Sequence, residues 1–185
     1  MAHEIECKIA LTEQQVSPLE NRIRHLLGSI ESEPVVKKDT YFTQDGTHAE
    51  FRLRRSHKSL VVTRKFKQHR DDGVEVNREI EFSVLGSQDV AVEAFVRSLG
   101  FRELICKEKR GTLWRQGELT IELVHVHHLG WFLEMELLIC DEAAKLPKGI
   151  DDAVVRLSKL RTDLGVGDMP LEPRYYIDIL RERQS

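Results

Sequence analysis

Five pairs of charged residues at i, i+2 spacing carry whatever chemistry this chain can do. Glu4 and Glu6 are followed at the same spacing by Lys8, Arg52 stands two residues before Arg54, Lys65 before Lys67, and Glu79 before Glu81. A fifth pair, Glu134 and Glu136, closes the series. On a β-strand such spacing puts both charges on one face. The intervening residues (Ile5, Cys7, Phe51, Leu53, Phe66, Ile80, Phe82, Leu133, Met135 and Leu137) supply an apolar opposite face. Any antiparallel sheet with one wet face alternates in this way. The sorting by sign is different: basic pairs occupy some strands and acidic pairs others, and like charges on adjacent strands repel unless something of opposite charge lies between them. Arginine and lysine suit phosphate oxygens. Clustered glutamates without cysteine are hard oxygen donors that favour Mg2+ or Mn2+ over zinc. A cavity lined by both is equipped to bind a triphosphate and stabilise transfer at phosphorus.

These strands need elements to hold them. A first strand around residues 4–9 is followed by a helix whose expected start is Ser17-Pro18, with Leu19, Ile23, Leu26 and Leu27 on one face and Gly28 as its stop. Strands are expected over 35–42, 50–55, 60–67 and 76–84, broken at Asp45-Gly46, His57-Lys58 and Asp71-Asp72-Gly73. A helix over 87–99 ends at Gly100; strands then cover 103–115, 119–126 and 131–140, and helices 151–164 and 172–183. The class is α+β, dominated by antiparallel sheet. Turning the charged faces inward closes the sheet into a barrel, a tunnel whose apolar outer faces are covered by the amphipathic helices.

Composition excludes several classes. The chain has 185 residues with 28 basic and 31 acidic side chains, so neither nucleic acid nor a membrane surface is indicated as partner. Cys7, Cys106 and Cys140 show no CxxC spacing, and their odd number argues against a disulfide framework. With no apolar leader and no bilayer-length apolar run, the expectation is a cytoplasmic protein and one domain over 1–185.

Taken in order, these residues resemble the CYTH family, the triphosphate tunnel metalloenzymes that include class IV adenylyl cyclases, thiamine triphosphatases and inorganic triphosphatases. The family's ExExK stands as Glu4, Glu6 and Lys8, its RxR as Arg52 and Arg54, its KxK as Lys65 and Lys67, and its ExE as Glu79 and Glu81. The basic pair Lys109-Arg110, the run from Leu129-Gly130 to Glu134 and Glu136, and the ending Glu172-Pro173-Arg174-Tyr175-Tyr176 complete the likeness, which spans nearly the whole chain. One position departs: where the family usually places an Asp ahead of the Leu-Gly, this chain has Val124, with two substitutes open, Glu122, which shares its strand parity, or a neighbouring histidine after a register shift.

The resemblance implies roles. Glu4, Glu6, Glu134 and Glu136 are expected to hold Mg2+ or Mn2+, joined by Glu122 and by Glu79 and Glu81, which serve equally well as ion-pair partners. Lys8, Arg52, Arg54, Lys65 and Lys67 are expected on triphosphate oxygens, and Arg110 is expected inward in preference to Lys109. Glu4, Glu6, Lys8 and Glu136 form the catalytic set. Tyr176 either contacts substrate or packs the last helix, packing being favoured. Asp39 fits a turn as readily as a site, and His125, His127 and His128 are expected exposed. The implied activity is a class IV adenylyl cyclase converting ATP to cyclic AMP and pyrophosphate; the alternatives are a triphosphatase and a non-catalytic polyphosphate-binding or nucleotide-binding module, the last favoured by Val124. A homodimer is left open.

Overall fold

The computed structural model describes residues 2–55, 59–145 and 148–184, so the expected break at His57-Lys58 lies outside the described residues. Eight strands, β1 (Ala2–Leu11), β2 (Glu33–Thr43), β3 (Phe51–Arg55), β4 (Ser59–His69), β5 (Glu75–Leu85), β6 (Arg102–Gln116), β7 (Leu119–Val126) and β8 (Gly130–Cys140), form one sheet. Their order is β1-β5-β4-β3-β2-β6-β7-β8, closed into a barrel with every pairing antiparallel. Closure depends on β1, which pairs with β5 on one side and β8 on the other. Among the described residues five α-helices lie around it: α1 (Glu13–Leu27), α2 (Asp89–Ser98), α3 (Asp141–Lys145), α4 (Gly149–Asp163) and α5 (Tyr176–Gln184). Among the described residues no helix is long and apolar enough to cross a membrane.

The alternation in β1 fixes which way the barrel faces. Ile5, Cys7 and Ile9 are buried on its outside against Leu19, Ile23 and Leu27 of α1 and Ala153 and Leu157 of α4. Leu133, Met135 and Leu137 of β8 and Trp114 of β6 join the same cluster. Each such side chain is worth about 1.5–3 kcal/mol when fully buried, so the outer wall supplies the drive that holds a charged interior together. Helix α1 begins four residues ahead of the expected Ser17 cap. Thr12 is the cap, its backbone N–H donating to the Gln15 side chain at 2.8 Å, and Pro18 lies inside the helix. That reciprocal capping box satisfies orphan donors at the helix start and overrides the Ser-Pro signal.

Strands β6 and β7 approach closely at Gly111. Gly111 lies opposite Val124, and a Cβ on it would sit 2.1 Å from the Leu123 carbonyl oxygen, so only glycine permits this approach of the two backbones. Val124 is buried there with Val35, Leu113, Val126, Phe132 and Tyr176, an apolar plug continuous with the charged bore.

Candidate functional site

The bore is a cavity of about 140 Å³ into which seven basic and seven acidic side chains project, with Tyr41, Thr63, Tyr175 and Tyr176 among them. Glu4, Glu6, Lys8, Arg52, Arg54, Lys65, Glu122, Glu134, Glu136 and Tyr176, all singled out from the sequence, line it together. Their convergence is a matter of register: Lys8 lies opposite Glu134 and Glu6 opposite Glu136 across β1 and β8, while Glu122 faces Glu134 across β7 and β8.

Four charge nests divide the wall. In the first, the buried Asp39 receives Arg54 through Nε at 2.6 Å and Nη2 at 2.9 Å, with Lys107 at 3.1 Å and Arg52 at 3.7 Å. Three cations gather on one anion; burial opposes ionisation, yet Lys107 and Arg54 hold the Asp39 carboxyl well below its usual range. Nε of Arg52 is buried and makes no hydrogen bond, a donor left over for something else in the bore.

In the second, Lys65 bridges Glu4 at 2.5 Å and Glu79 at 2.7 Å, while Thr63 donates to Glu81 at 2.8 Å. In the third, Lys109 reaches Glu122 at 2.5 Å and Glu134 at 2.6 Å; Lys37 also pairs with Glu122, and the Tyr176 hydroxyl donates to Glu134 at 2.8 Å. Burial disfavours the Glu134 carboxylate, but Lys109 and Lys107 pull its pKa down to about 2. The fourth is the buried pair Lys8–Glu75.

One acidic stretch is less fully compensated. Glu6 has Glu75 opposite it on β5 and Glu136 opposite it on β8. Burial, then the charges of Glu4 and Glu6, push the Glu136 carboxyl up to about 8, and burial raises Glu4 as well. Glu136 is pressed toward protonation by Glu4 and Glu6, and Glu4 stays raised by burial even with Lys65 on it; carboxylate oxygens so placed suit a hard divalent cation. Among the described residues no three Asp, Glu, His or Cys side chains already stand as a metal-binding cluster.

Several placements differ from the sequence expectations. Arg110 is not in the bore: it is exposed and pairs with Glu108 at 2.6 Å, and Lys109 is the inward member of the pair. The register sets this, Lys109 standing opposite the inward Lys37 of β2, so Arg110 must face out. Glu122 and Glu134, expected among the metal ligands, are both held by Lys109, and Glu79, for which ligation and ion pairing were equally expected, shares Lys65 with Glu4. Glu81 lies at the side of the bore within 3.9 Å of Arg52. The side chain of Lys67 lies outside the described residues. Tyr176 both packs edge-on against Phe132, ring centroids 4.8 Å apart, and reaches the bore through its hydroxyl. His125, His127 and His128 are exposed.

Lys37, Glu75 and Lys107 line the bore without having been singled out by the strand patterns, and Asp39, which fitted a turn as readily as a site, is the buried anion on which Lys107 sits. Lys107 had a visible signal, since it precedes Lys109 at the same i, i+2 spacing as the other pairs.

Known proteins agree with this architecture. A protein from Pyrococcus horikoshii, PH1012, is 22% identical with a TM-score of 0.73 over 95% of this chain and 98% of its own. A candidate adenylate cyclase from Vibrio parahaemolyticus is 18% identical with a TM-score of 0.73, covering 96% and 97% of the two chains. A candidate adenylyl cyclase from Hippeastrum, reported to reveal a dominant triphosphatase activity, is 14% identical with a TM-score of 0.66 over 99% and 96%. At these identities the likeness is one of fold. Curated proteins give no significant match. The model of the CYTH domain matches residues 2–176, and the chain therefore belongs to the CYTH domain family.

Proposed function

We propose that the bore is the active site of a divalent-metal-dependent enzyme acting on a triphosphate compound. The observation that carries this reading is the sorting of charge inside one cavity: Arg52, Arg54 and Lys107 crowd onto Asp39 at one part of the wall, and Glu4, Glu6 and Glu136 crowd another, where Lys65 reaches Glu4. The basic group binds and orients the phosphate chain, Arg52 and Arg54 as planar forks and the lysines as point charges. Asp39 keeps those cations together before substrate arrives, so their placement is fixed in advance. Glu4, Glu6 and Glu136 would hold Mg2+ or Mn2+, which supplies charge neutralisation at phosphoryl oxygens and acidity to a bound hydroxyl or water. In this reading Glu79, Glu81, Glu122 and Glu134 serve the cations instead.

For the reaction, the family resemblance points to class IV adenylyl cyclase chemistry, in which the 3′-hydroxyl of ATP attacks the α-phosphorus and pyrophosphate leaves. A second reading, hydrolysis of a triphosphate by water, is favoured by the size of the bore. At about 140 Å³ it falls below the roughly 300 Å³ at which ligand sites for drug-sized molecules begin, a better match to a bare tripolyphosphate chain than to a whole nucleotide. The same basic cradle serves both, and the difference lies in which phosphorus is presented to the nucleophile.

Incubating the protein with Mn2+ or Mg2+ and either ATP or tripolyphosphate separates the readings by product. Cyclic AMP with pyrophosphate identifies the cyclase, free phosphate the triphosphatase, and binding without turnover a non-catalytic module. The double variant Glu4→Gln/Glu6→Gln is expected to lose at least ~100-fold in turnover while retaining its fold; undiminished turnover in that variant refutes the assignment of the acidic residues.

A further inference from the structure

A buried amide stands beside the acidic stretch without a partner. On β5, Val74 and Val76 pack into the outer cluster, so Glu75, Asn77 and Glu79 share the opposite, inward parity. Asn77 has 0% exposure. Neither its Oδ1 nor its Nδ2 makes a hydrogen bond among the described residues. Exchanging the two ends of the amide does not repair this, since both are unpartnered. Burying such a group is costly, and native folds almost always give it a partner in protein, water or an ion.

Register fixes what surrounds it. Asn77 lies opposite Glu4 on β1 and opposite Lys67 on β4, whose side chain lies outside the described residues; one step along the same face, Glu75 lies opposite Glu6. Residues directly opposite on one face of an antiparallel pair have Cβ atoms about 4.5–5.5 Å apart, so the amide is within reach of whatever Glu4 holds. Glu4, Glu6 and Glu75 all line the bore. The amide slightly favours the Glu75 carboxylate, yet without hydrogen-bond geometry at either of its ends. Ionised carboxylates accept from an amide nitrogen and have nothing to give its oxygen. Lys8 and Lys65 are committed to the glutamates themselves, Lys8 to Glu75 and Lys65 to Glu4 and Glu79.

We propose that Asn77 is a further ligand of the divalent cation, its Oδ1 serving as a neutral oxygen beside the carboxylates of Glu4 and Glu6. This rests on the reading of the bore as a metal site. An amide carbonyl is a hard oxygen donor of the kind that Mg2+ and Mn2+ accept along with carboxylates and water. Its neutrality matters at this place. Glu4, Glu6, Glu75 and Glu136 already press like charges together, and an amide adds an oxygen without adding a fifth charge. With Oδ1 on the cation, Nδ2 is free to donate to Glu75, and both ends of the amide are then satisfied.

Mn2+ titration of the full chain, with free ion followed by electron paramagnetic resonance, tests this without reference to turnover. Asn77→Ala should bind Mn2+ at least ~ten-fold more weakly than the wild type with an unchanged circular dichroism spectrum. Asn77→Asp retains an oxygen at the same place and should bind Mn2+ at least as tightly as the wild type. The rise in Tm on adding Mn2+ should shrink in Asn77→Ala and persist in Asn77→Asp. Glu4→Gln/Glu6→Gln separates this proposal from the reading beneath it. If that double variant loses Mn2+ while Asn77→Ala binds as the wild type does, the metal site stands and the role of Asn77 is overturned, the amide then serving Lys67 or a buried water. If Asn77→Asp loses as much affinity as Asn77→Ala, the amide is needed by the fold rather than by the cation, and the proposal is again overturned. A wild-type chain that takes up no Mn2+ overturns both readings together.

Discussion

Replacing Glu136 by Gln removes a carboxylate that the rest of the wall opposes, and the pH dependence of stability reads out that opposition directly. The Glu136 carboxyl is raised from 4.5 to about 8, first by burial and then by Glu4 and Glu6. Between those values the folded protein keeps a proton that the unfolded chain has released. The native state then binds more protons than the unfolded one, and stability falls as pH rises through the window. At about 1.4 kcal/mol per tenfold change in proton affinity the ceiling is roughly 5 kcal/mol. Relaxation of the wall and entry of water reduce this to about 2–4 kcal/mol. For a chain of this length each kcal/mol moves Tm by about 2–4 °C, so at pH 8.5 and without divalent ions Glu136→Gln should melt roughly 5–15 °C above the wild type. The two proteins should converge at least one unit below pH 4.5, where the wild-type carboxyl is neutral in both states. Millimolar Mn2+ should close the gap at pH 8.5 from the wild-type side, because a cation among Glu4, Glu6 and Glu136 replaces the missing positive charge and the Gln variant has lost a donor. Differential scanning calorimetry over this pH range, with and without Mn2+, measures all three effects. A variant no more stable than the wild type at pH 8.5 would refute the crowding argument, and with it the reason for placing a cation there.

Asp39→Asn leaves Arg52, Arg54 and Lys107 without their shared counter-ion, and breaking a buried ionic group of this kind costs about 3–5 kcal/mol. Tripolyphosphate should recover part of that loss by supplying negative charge to the same cations, so melts with and without the anion should show a smaller gap between variant and wild type when it is present; an unchanged gap argues against phosphate binding at this wall. Tyr176→Phe removes the hydroxyl that Glu134 accepts at 2.8 Å, a loss of about 1–2 kcal/mol. Glu134 has a depressed pKa of about 2, so its contribution is present above the unfolded value near 4.3 and disappears as pH falls through 2. Acid titration followed by tryptophan fluorescence should therefore place the Tyr176→Phe unfolding midpoint at higher pH than that of the wild type.

Strand parity was legible wherever one face of a strand differed in kind from the other. Glu4-Ile5-Glu6-Cys7-Lys8 admits one orientation only, and the barrel uses it; the same holds for β8, where Leu133, Met135 and Leu137 alternate with Glu134 and Glu136. In β2 the doublets Val35-Val36 and Lys37-Lys38 fit either parity, and the structure buries Val35 while leaving Val36 exposed. That choice carries Lys37 into the bore and buries Asp39 among the cations, which is why the sequence pattern left Asp39 between a turn and a site. Lys109-Arg110 presented the same ambiguity in β6, two adjacent cations of equal hydrophilicity, and pairing with β2 resolved it in favour of Lys109.

From its residues alone the chain declared alternating strands, charged faces segregated by sign and amphipathic helices to cover the apolar ones, since these depend on periodicities of two and 3.6 within short windows. Tertiary structure decided which charges meet: that Glu6 stands between Glu75 and Glu136, that Asp39 anchors three cations, and that Val124 faces an apolar plug behind Gly111. Those encounters are set by the register between strands far apart in the chain, above all β1 with β5 and β8, and a one-residue slip in any of them would exchange inside for outside. No local pattern encodes such a register; the simultaneous burial of every outer face does.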